Sequence, residues 1–335
     1  MRAWQISAFG LDSLELVERP TPTPGRGEVL VRVRAVSLNY RDLLVVKGLY
    51  NPRMKLPRIP CSDCAGEVLA VGQDVAAWKH GDRVMGIFMQ NWQEGSLTPA
   101  KACGALGGDI DGVLADTVVL KEQGLVAIPD HLSFQEAATL PCAAVTAWNA
   151  LSTCEIKPGS TVLIQGTGGV SIFALQFARL RGARVLGISS SYEKLDRATS
   201  MGLDAGLNYK DHPDWDRWAR DQAGGEGVDL VVEVGGMGTL TRSLRALRMG
   251  GNIALIGVLA QADAEAFPLP LIFHKWSHIH GIYVGSRKDF WEMNRAIALA
   301  ELRPVGEEFN WNQTREVLQR MEEGSHFGKL VLTID

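Results

Sequence analysis

Cysteine is scarce in this sequence: five residues are spread over 335 positions, and their number is odd. Thiols this few do not build a disulfide framework, and they fit a reducing compartment. Cys61 and Cys64 form a C-x-x-C pair, but no second such pair accompanies it. We therefore expect free bystander thiols, with a redox pair or half a zinc site as the alternative.

Long apolar runs and an excess of charge of one sign are also lacking. No stretch approaches the ~20 apolar residues that a membrane span requires, and the start, Met1 to Phe9, has no sustained apolar core. The net charge is only -4, and acidic and basic residues are interleaved along the chain. The sequence therefore has no basic stripe that could bind a nucleic acid or an anionic membrane. We expect a soluble, cytoplasmic protein whose partner is a small molecule, with neither nucleic acid nor membrane bound.

The pattern of the chain changes near residue 127. Before it, short apolar runs such as 29–36 and 66–72 are bounded by turn residues, which predicts a β-rich domain. After it, strand patterns alternate with helical ones, the first opened by a capping box that runs from Ser133 to Glu136. Such alternation predicts a parallel sheet. We expect an α/β protein of two domains that leave a cleft between them.

A glycine-rich turn follows a strand pattern and precedes a helical one. The segment is Gly166-Thr-Gly168-Gly169-Val170, and Ser171 takes the place of a third glycine. Gly166 permits a tight turn, and Gly168 or Gly169 lets the backbone approach a diphosphate at the amino end of the helix. An ordinary glycine turn is the alternative. The flanking elements favour a dinucleotide site.

The choice of dinucleotide is expected at the end of the next strand. NAD-binding folds usually carry an acidic residue there, whereas this chain has Ser189 and Ser190, followed by Lys194. A lysine neutralises a 2′-phosphate and hydroxyls donate hydrogen bonds to it, which favours NADP(H). Glu193 is the competing acid, but it is expected in the first turn of the next helix, facing solvent. The alternative for Ser189 to Ser191 is a polar helix cap.

Several segments together resemble one family. The chain is similar to zinc-lacking medium-chain dehydrogenase/reductases of the quinone oxidoreductase type over nearly its whole length. The segments that carry this resemblance are Ser37-Leu-Asn39-Tyr40-Arg41-Asp42, Gly48-Leu-Tyr50, Gly81-Asp-Arg-Val84 and Leu140 to Trp148.

The resemblance implies a domain arrangement. A chaperonin-10-like, β-rich catalytic domain is expected at 1–126 and is completed by 268–335, whose closing strand contains Gly328-Lys329-Leu-Val-Leu332. A doubly wound Rossmann domain that binds NADP is expected at 127–267. By the same resemblance, Asn39, Tyr40 and Tyr50 are the catalytic candidates. The implied cofactor contacts beyond the glycine turn and the serines are Thr146, Lys194, Tyr209, Gly235, Gly236, Gly257, Val258, Tyr283 and Arg287.

The residues at the zinc-ligand positions distinguish this sequence from the alcohol dehydrogenases of the same superfamily. Asn39 stands where their first cysteine ligand would be, and Ser62-Asp63 stands where a His-Glu pair would be. Only Cys142 keeps a ligand-type side chain, and the loop that carries four cysteines in zinc enzymes has only Cys103. Catalytic zinc needs three protein ligands, and Asn and Ser are poor ones. We expect no metal site.

Without a Lewis acid, hydride delivery to an electron-poor acceptor is easier than alcohol oxidation. We expect NADPH to reduce a quinone or an enone, with Asn39 bonding the carbonyl or the nicotinamide ribose and Tyr40 or Tyr50 donating a proton. Their structural alternative is an asparagine in a turn and packed tyrosines. A zinc-type alcohol dehydrogenase and a non-catalytic NADPH-binding redox sensor are the other functions left open.

Three histidines near the end of the chain, His274, His278 and His280, are spaced by an even number of residues. We interpret them as part of an edge strand rather than as a metal cluster, because no acid or cysteine accompanies them. The family resemblance suggests that this strand extends the sheet across a homodimer.

Overall fold

The computed structural model describes residues 1–257, 259 and 269–334, and its elements follow the order that the sequence pattern predicts. The strands are β1 (Arg2–Ile6), β2 (Leu14–Glu18), β3 (Glu28–Leu38), β4 (Asp63–Val71), β5 (Arg83–Gly86), β6 (Thr117–Lys121), β7 (Leu125–Ala127), β8 (Thr161–Gln165), β9 (Arg184–Ser189), β10 (Ala205–Asn208), β11 (Val228–Glu233), β12 (Leu247–Leu255), β13 (His278–Gly281), β14 (Gly306–Asn310) and β15 (Lys329–Thr333). The helices are α1 (Tyr40–Val46), α2 (Pro99–Ala102), α3 (Phe134–Ala138), α4 (Val145–Thr153), α5 (Gly169–Leu180), α6 (Tyr192–Ser200), α7 (Trp215–Gln222), α8 (Met237–Ala246), α9 (Leu269–Lys275), α10 (Arg287–Leu299) and α11 (Thr314–Glu323). Strands and helices alternate from β8 onward, which confirms the α/β class.

Two compact units divide the chain, at other positions than the domain boundaries expected from the sequence. One unit consists of 1–145 and 285–335, and the other of 146–284. The sequence interpretation ended the first domain at 126 and resumed it at 268. The observed boundaries lie later because α3 packs against β3, β4 and β15, whereas β13 pairs with β12.

The sheet of the first unit brings three chain segments together at one point. Its strand order is β14-β15-β3-β4-β5-β7, and β6 also pairs with β3. Val29, Val31 and Val33 of β3 are buried at alternate positions, as a strand with one face on the core requires. At the end of β3, Ser37 is opposite Asp63, and Leu38 is opposite Leu330. The register thus places Asn39 beside the start of β4 and the start of β15.

The sheet of the second unit is parallel throughout, with strand order β10-β9-β8-β11-β12-β13. Strands β8, β9 and β10 follow one another toward one edge, and β11, β12 and β13 follow toward the other. The order therefore reverses between β8 and β11. In open parallel sheets, ligands bind beyond the carboxyl ends of the strands at such a reversal.

The histidine-rich segment is partly a strand and partly a helix. His278 and His280 lie in β13, an edge strand that pairs with β12, which confirms the predicted edge strand at these two positions. His274 lies in α9 instead, so the even spacing does not extend to it. Helix α9 ends at Lys275, and Trp276 then adopts a positive φ of 50° that separates helix from strand.

Among the described residues, no helix combines the length and the apolar character that crossing a bilayer would require.

Candidate functional site

The turn between β8 and α5 is open and uncapped. Gly166 has a φ of +68°, which suits glycine, and its amide donates to the carbonyl of Ile188 at 2.7 Å. A Cβ built on Gly166 or on Gly168 would meet nothing within 4 Å. Gly168 is the N-cap of α5, and no side chain caps this helix, although serines cap α3, α6 and α10. The first amides of α5 are therefore left for a ligand.

Ser171 explains how the helix stays close to the strand without a third glycine. Its side chain is buried, and its Oγ donates to the carbonyl of Gln165 at 2.7 Å. This hydrogen bond ties the first turn of α5 to the end of β8. The turn therefore fits a dinucleotide diphosphate, with the amides of Gly169 and Val170 at the positive end of the helix dipole.

The predicted 2′-phosphate residues lie at the ends of neighbouring strands. β9 ends at Ser189, which is opposite Asn208 at the end of β10, and the amide of Tyr209 donates to the carbonyl of Ser189 at 3.0 Å. Ser190 and Lys194 are half-buried, and Tyr209 is exposed. The structure thus brings the serines and Tyr209 together at the edge of the sheet that carries the glycine turn.

Two alternatives were open for this segment, a polar helix cap at Ser189 to Ser191 and a competing acid at Glu193. Ser191 caps α6, because its Oγ accepts from the amide of Lys194 at 3.3 Å. Ser189 and Ser190 do not cap the helix. Glu193 is exposed in the first turn of α6, as expected, so no acid follows β9 directly.

A buried carboxylate that was not predicted from the sequence organises the turn between β11 and α8. Glu233 is fully buried, and its Oε1 accepts from the amides of Gly235 and Gly236 at 2.8 and 2.9 Å. Further donors are Thr239 Oγ1, Gln165 Nε2 and Ser243 Oγ. The signal available in the sequence was an acid at the end of a strand directly before a glycine turn.

The other predicted cofactor residues lie in different surroundings. Thr146 is buried in α4. Gly257, which follows β12 in the sequence, lies so close to the end of β11 that a Cβ built on it would be 2.1 Å from the carbonyl oxygen of Val234. Tyr283 is half-exposed after β13. Arg287 belongs to the first unit, where its Nε donates to the carbonyl of Leu125. Val258 lies outside the described residues.

In the first unit, the predicted catalytic Asn39 is part of a directed chain of hydrogen bonds. Lys329 Nζ donates to Asn39 Oδ1 at 2.5 Å, and Asn39 Nδ2 donates to Ser62 Oγ at 3.5 Å. Ser62 Oγ donates in turn to Asp63 Oδ1 at 2.6 Å, and the other oxygen of Asp63 accepts from the amide of Cys142 at 3.2 Å. A cation thus begins the chain, and a carboxylate ends it.

The charges of this cluster balance. Lys329, Asp63 and Asp42 are buried, and Arg41 pairs with Asp42 at 3.3 Å while its side chain is only 11% exposed. Asp42 Oδ2 also accepts from the backbone amide of Asn39 at 2.8 Å. Desolvation by burial raises the pKa of Asp63 to about 6, although Lys329 and hydrogen bonds from Asn39 and Ser62 oppose the shift.

The two predicted tyrosines flank this cluster at the surface. Tyr40 is the first residue of α1 and is 37% exposed, and Tyr50 is 39% exposed. The guanidinium carbon of Arg41 lies 5.0 Å from the centre of the Tyr50 ring and 4.8 Å from that of Phe88. This cation–π contact holds the Tyr50 ring beside a buried positive charge.

The raised pKa of Asp63 has a consequence for stability. The pKa is 3.8 in the unfolded chain and about 6 in the folded one, so the folded state holds the proton more tightly. The stability that this group contributes is complete below pH 4 and is lost as pH rises through 6. The shift corresponds to about 3 kcal/mol. Asp63→Asn removes this titrating group. In denaturant titrations we therefore expect the free energy of unfolding of the variant, measured relative to that of wild type, to rise by about 3 kcal/mol between pH 4 and pH 7. A difference that stays constant over this range would contradict the expectation.

The comparisons with known proteins agree with this architecture. The sequence model of the alcohol dehydrogenase GroES-like domain family matches residues 25–130, and that of the zinc-binding dehydrogenase family matches 169–299. A zinc-type alcohol dehydrogenase-like protein of Schizosaccharomyces pombe is 42% identical, covering 97% of this chain and 96% of the relative. The chain therefore belongs to the zinc-type alcohol dehydrogenase-like family of medium-chain dehydrogenase/reductases, and it is an oxidoreductase of the kind that binds a nicotinamide cofactor.

Other relatives and solved structures extend the comparison. Acryloyl-coenzyme A reductase of Metallosphaera sedula is 31% identical, over 87% of both chains. The crystal structure of an alcohol dehydrogenase from Sinorhizobium meliloti has a TM-score of 0.92 at 37% identity, covering 99% of this chain and 98% of the other. A quinone oxidoreductase from Coxiella burnetii has a TM-score of 0.82 at 26% identity, covering 100% and 99%. The set therefore contains reductases as well as alcohol dehydrogenases.

The zinc that names this family does not fit the residues of this chain. At the expected position, Asn39 Oδ1 already accepts from the Lys329 ammonium, and a second cation there would be repelled. Ser62 donates its proton to Asp63, and a serine hydroxyl is a poor ligand for zinc. Among the described residues, no group of three or more His, Cys, Asp or Glu side chains is placed to hold a metal.

The remaining cysteines are free thiols, as expected. Cys61 and Cys64 are both buried, and burial raises the pKa of Cys64 to about 12. Both thiols therefore stay protonated near neutral pH, which favours packing over redox chemistry.

Proposed function

We propose that this chain is an NADPH-dependent reductase that transfers hydride to an electron-poor carbonyl compound, a quinone or an enone, without catalytic zinc. The observation that carries the proposal is the uncapped helix α5 behind an open glycine turn, at the point where the strand order of the sheet reverses. A helix that forgoes a side-chain cap leaves its amides for an anion.

Residues around the next two strands support NADP(H) over NAD(H). The serines at the end of β9 supply hydroxyl donors, no acid follows them directly, and the ammonium of Lys194 supplies charge. The 2′-phosphate of NADPH requires both kinds of group, whereas the ribose hydroxyls of NADH would favour an acid there.

The chemistry follows from what the two units offer. Bound NADPH supplies a hydride, so the protein has to bind the acceptor, orient it and stabilise charge on its oxygen. Asn39 presents an amide donor for a carbonyl oxygen, and Tyr50, held beside Arg41, is the proton donor that we favour over Tyr40. Because no Lewis acid lowers the pKa of an alcohol, reduction is favoured over alcohol oxidation.

The names of two similar proteins are consistent with such acceptors. Acryloyl-coenzyme A carries a double bond conjugated to a carbonyl, and a quinone carries two conjugated carbonyls. Both accept hydride more readily than a saturated ketone does. The substrate of this chain is proposed to share this conjugation.

A cofactor-depletion screen tests the proposal. Purified protein treated with a chelator is incubated with NADPH or NADH and with a panel of quinones, enones and saturated ketones, and dinucleotide oxidation is followed at 340 nm. We expect oxidation of NADPH by conjugated acceptors that chelation does not reduce. Tight NADPH binding with no turnover would favour a redox sensor, and activity restored only by zinc would favour an alcohol dehydrogenase.

Lys194 provides the sharpest test of the dinucleotide preference. A Lys194→Ala variant is expected to weaken NADPH binding about tenfold, because it removes a charge-assisted hydrogen bond worth roughly 1.5 kcal/mol. NADH binding should stay within about twofold of wild type. Fluorescence titration with each dinucleotide measures both, and Lys157→Ala, an exposed lysine before β8, is the control. Equal weakening of NADPH and NADH would contradict the assignment.

Assembly and location complete the proposal. β13 is an edge strand with Trp276 70% exposed before it and Phe273 82% exposed on α9, which supports a homodimer joined along this edge. Sedimentation at twice the 36.5 kDa chain mass would support the dimer, and sedimentation at the chain mass would contradict it. The free thiols support a cytoplasmic location, which cell fractionation tests.

A further inference from the structure

Lys329 is the cation of the hydrogen-bond chain through Asn39, and the proposed function gives it no role. It is the first residue of β15, it is 3% exposed, and apolar residues follow it in the strand. A lysine is almost never buried this deeply without a specific partner. Its ammonium donates to two acceptors, the carbonyl of Leu38 and Oδ1 of Asn39, both at 2.5 Å.

The contact with Asn39 fixes which way the amide faces. An asparagine amide has an acceptor end and a donor end, and rotation by 180° exchanges them. Here the ammonium can only donate, so Oδ1 must face Lys329 and Nδ2 must face the side of Ser62. Ser62 supports this orientation, because its own proton is given to Asp63 and its oxygen is left to accept.

Asn39 is also the most exposed of the four residues whose side chains form this hydrogen-bond chain. It is 9% exposed, whereas Ser62 and Asp63 are fully buried and Lys329 is nearly so. Because Oδ1 is occupied by the ammonium, a ligand that reaches this side chain can be bound only by the NH2 end, and the cation strengthens that donor by polarising the amide. A carbonyl or enolate oxygen, which can only accept, suits this arrangement.

We propose that Lys329 is a positioning residue that locks the Asn39 amide as a hydrogen-bond donor to the carbonyl oxygen of the acceptor, and that it acts on the reaction through Asn39. This inference rests on the proposed function. It adds the source of the positive charge that stabilises the developing oxyanion. This source is the Lys329 ammonium, which acts on the substrate oxygen through the Asn39 side-chain amide.

The test is a double-mutant cycle of Lys329→Met and Asn39→Ala, with kcat and KM measured for NADPH and 2-cyclohexenone. We expect Lys329→Met to lower kcat by about 10- to 100-fold, since removing one oxyanion donor outright costs about 100-fold or more. The KM for NADPH should not change. In the Asn39→Ala background the same substitution should have less than about a twofold effect, because coupled residues are not additive.

Three further variants separate this role from a general structural one. Lys275→Met is the matched control, because Lys275 Nζ also donates to two carbonyls, those of Arg245 and Leu247, at 2.5 Å, but contacts no asparagine. Its kcat should equal that of wild type. Lys329→Arg keeps the charge and should retain more activity than Lys329→Met. If the Lys329→Met variant does not fold, the double variant Lys329→Met/Asp63→Asn is used in its place, because it leaves the cluster without net charge.

The inference fails if Lys329→Met leaves kcat unchanged, or if it lowers kcat by the same factor with and without Asn39. A wild type that reduces no acceptor refutes the proposed function instead. The positioning role is then decided by the side-chain amide signal of Asn39 in 1H–15N spectra, assigned from its loss in Asn39→Ala. We expect Lys329→Met to shift this signal, and an unshifted signal would overturn the inference.

Discussion

A Gly168→Asp variant should lose NADPH binding by at least about 100-fold, because a carboxylate beside the diphosphate replaces an attraction with a repulsion of several kcal/mol in this partly desolvated turn. Gly168 has a φ of -75° and a ψ of 179°, which any residue adopts, and its Cβ would meet no protein atom. Asp is moreover a preferred N-cap residue. The melting temperature should therefore be unchanged or slightly higher. Isothermal titration with NADPH measures the loss.

Gly168→Asn is the control that separates charge from size. It has the same shape as Asp and the same capping ability, but it carries no charge. We expect it to weaken NADPH binding by less than about tenfold, since it removes only space over the turn. If the Asp and Asn variants bind NADPH equally well, the diphosphate does not lie over this helix.

Replacing Glu233 should have the largest effect on stability. Glu233→Leu preserves the volume but removes the fully buried carboxylate that accepts hydrogen bonds from two backbone amides, two hydroxyls and one side-chain amide. Breaking a buried polar network of this kind costs about 3–5 kcal/mol. We expect scanning calorimetry to show a melting temperature lower by roughly 10 °C.

The matched comparison uses the same substitution on the surface. Glu226 is exposed, so Glu226→Leu should change the melting temperature by less than about 2 °C. Glu233→Gln is also expected to destabilise the chain, because both oxygens of Glu233 accept hydrogen bonds and an amide NH2 would face a donor. A Glu233→Leu variant as stable as wild type would show that the network contributes little.

Local patterns in the sequence were sufficient to predict the two architectures and the glycine turn between β8 and α5. The glycines and the helix after them are contiguous, so their geometry follows from neighbours in the chain. The capping box at Ser133 was found for the same reason. The bounds of the two compact units differ from the domain boundaries expected from the sequence, because they depend on which sheet α3 and β13 join, and that is a matter of packing between distant segments.

The polar cluster around Asn39 shows what the sequence could not specify. Lys329 is 290 positions from Asn39 in the sequence. No local pattern predicts that a lysine in an apolar strand is buried. Only the register of β15 against β3 and of β3 against β4 brings Lys329, Asn39 and Asp63 together. Glu233 was missed similarly, because its partners Gln165 and Ser243 come from β8 and α8.

A crystal structure of the protein with NADPH, collected at the zinc absorption edge, tests the central claim most directly. We expect the diphosphate against the amides of Gly169 and Val170, the 2′-phosphate near Lys194, and no anomalous peak beside Cys142. An empty turn between β8 and α5, or a tetrahedral ion held by Cys142, would contradict a zinc-independent NADPH reductase.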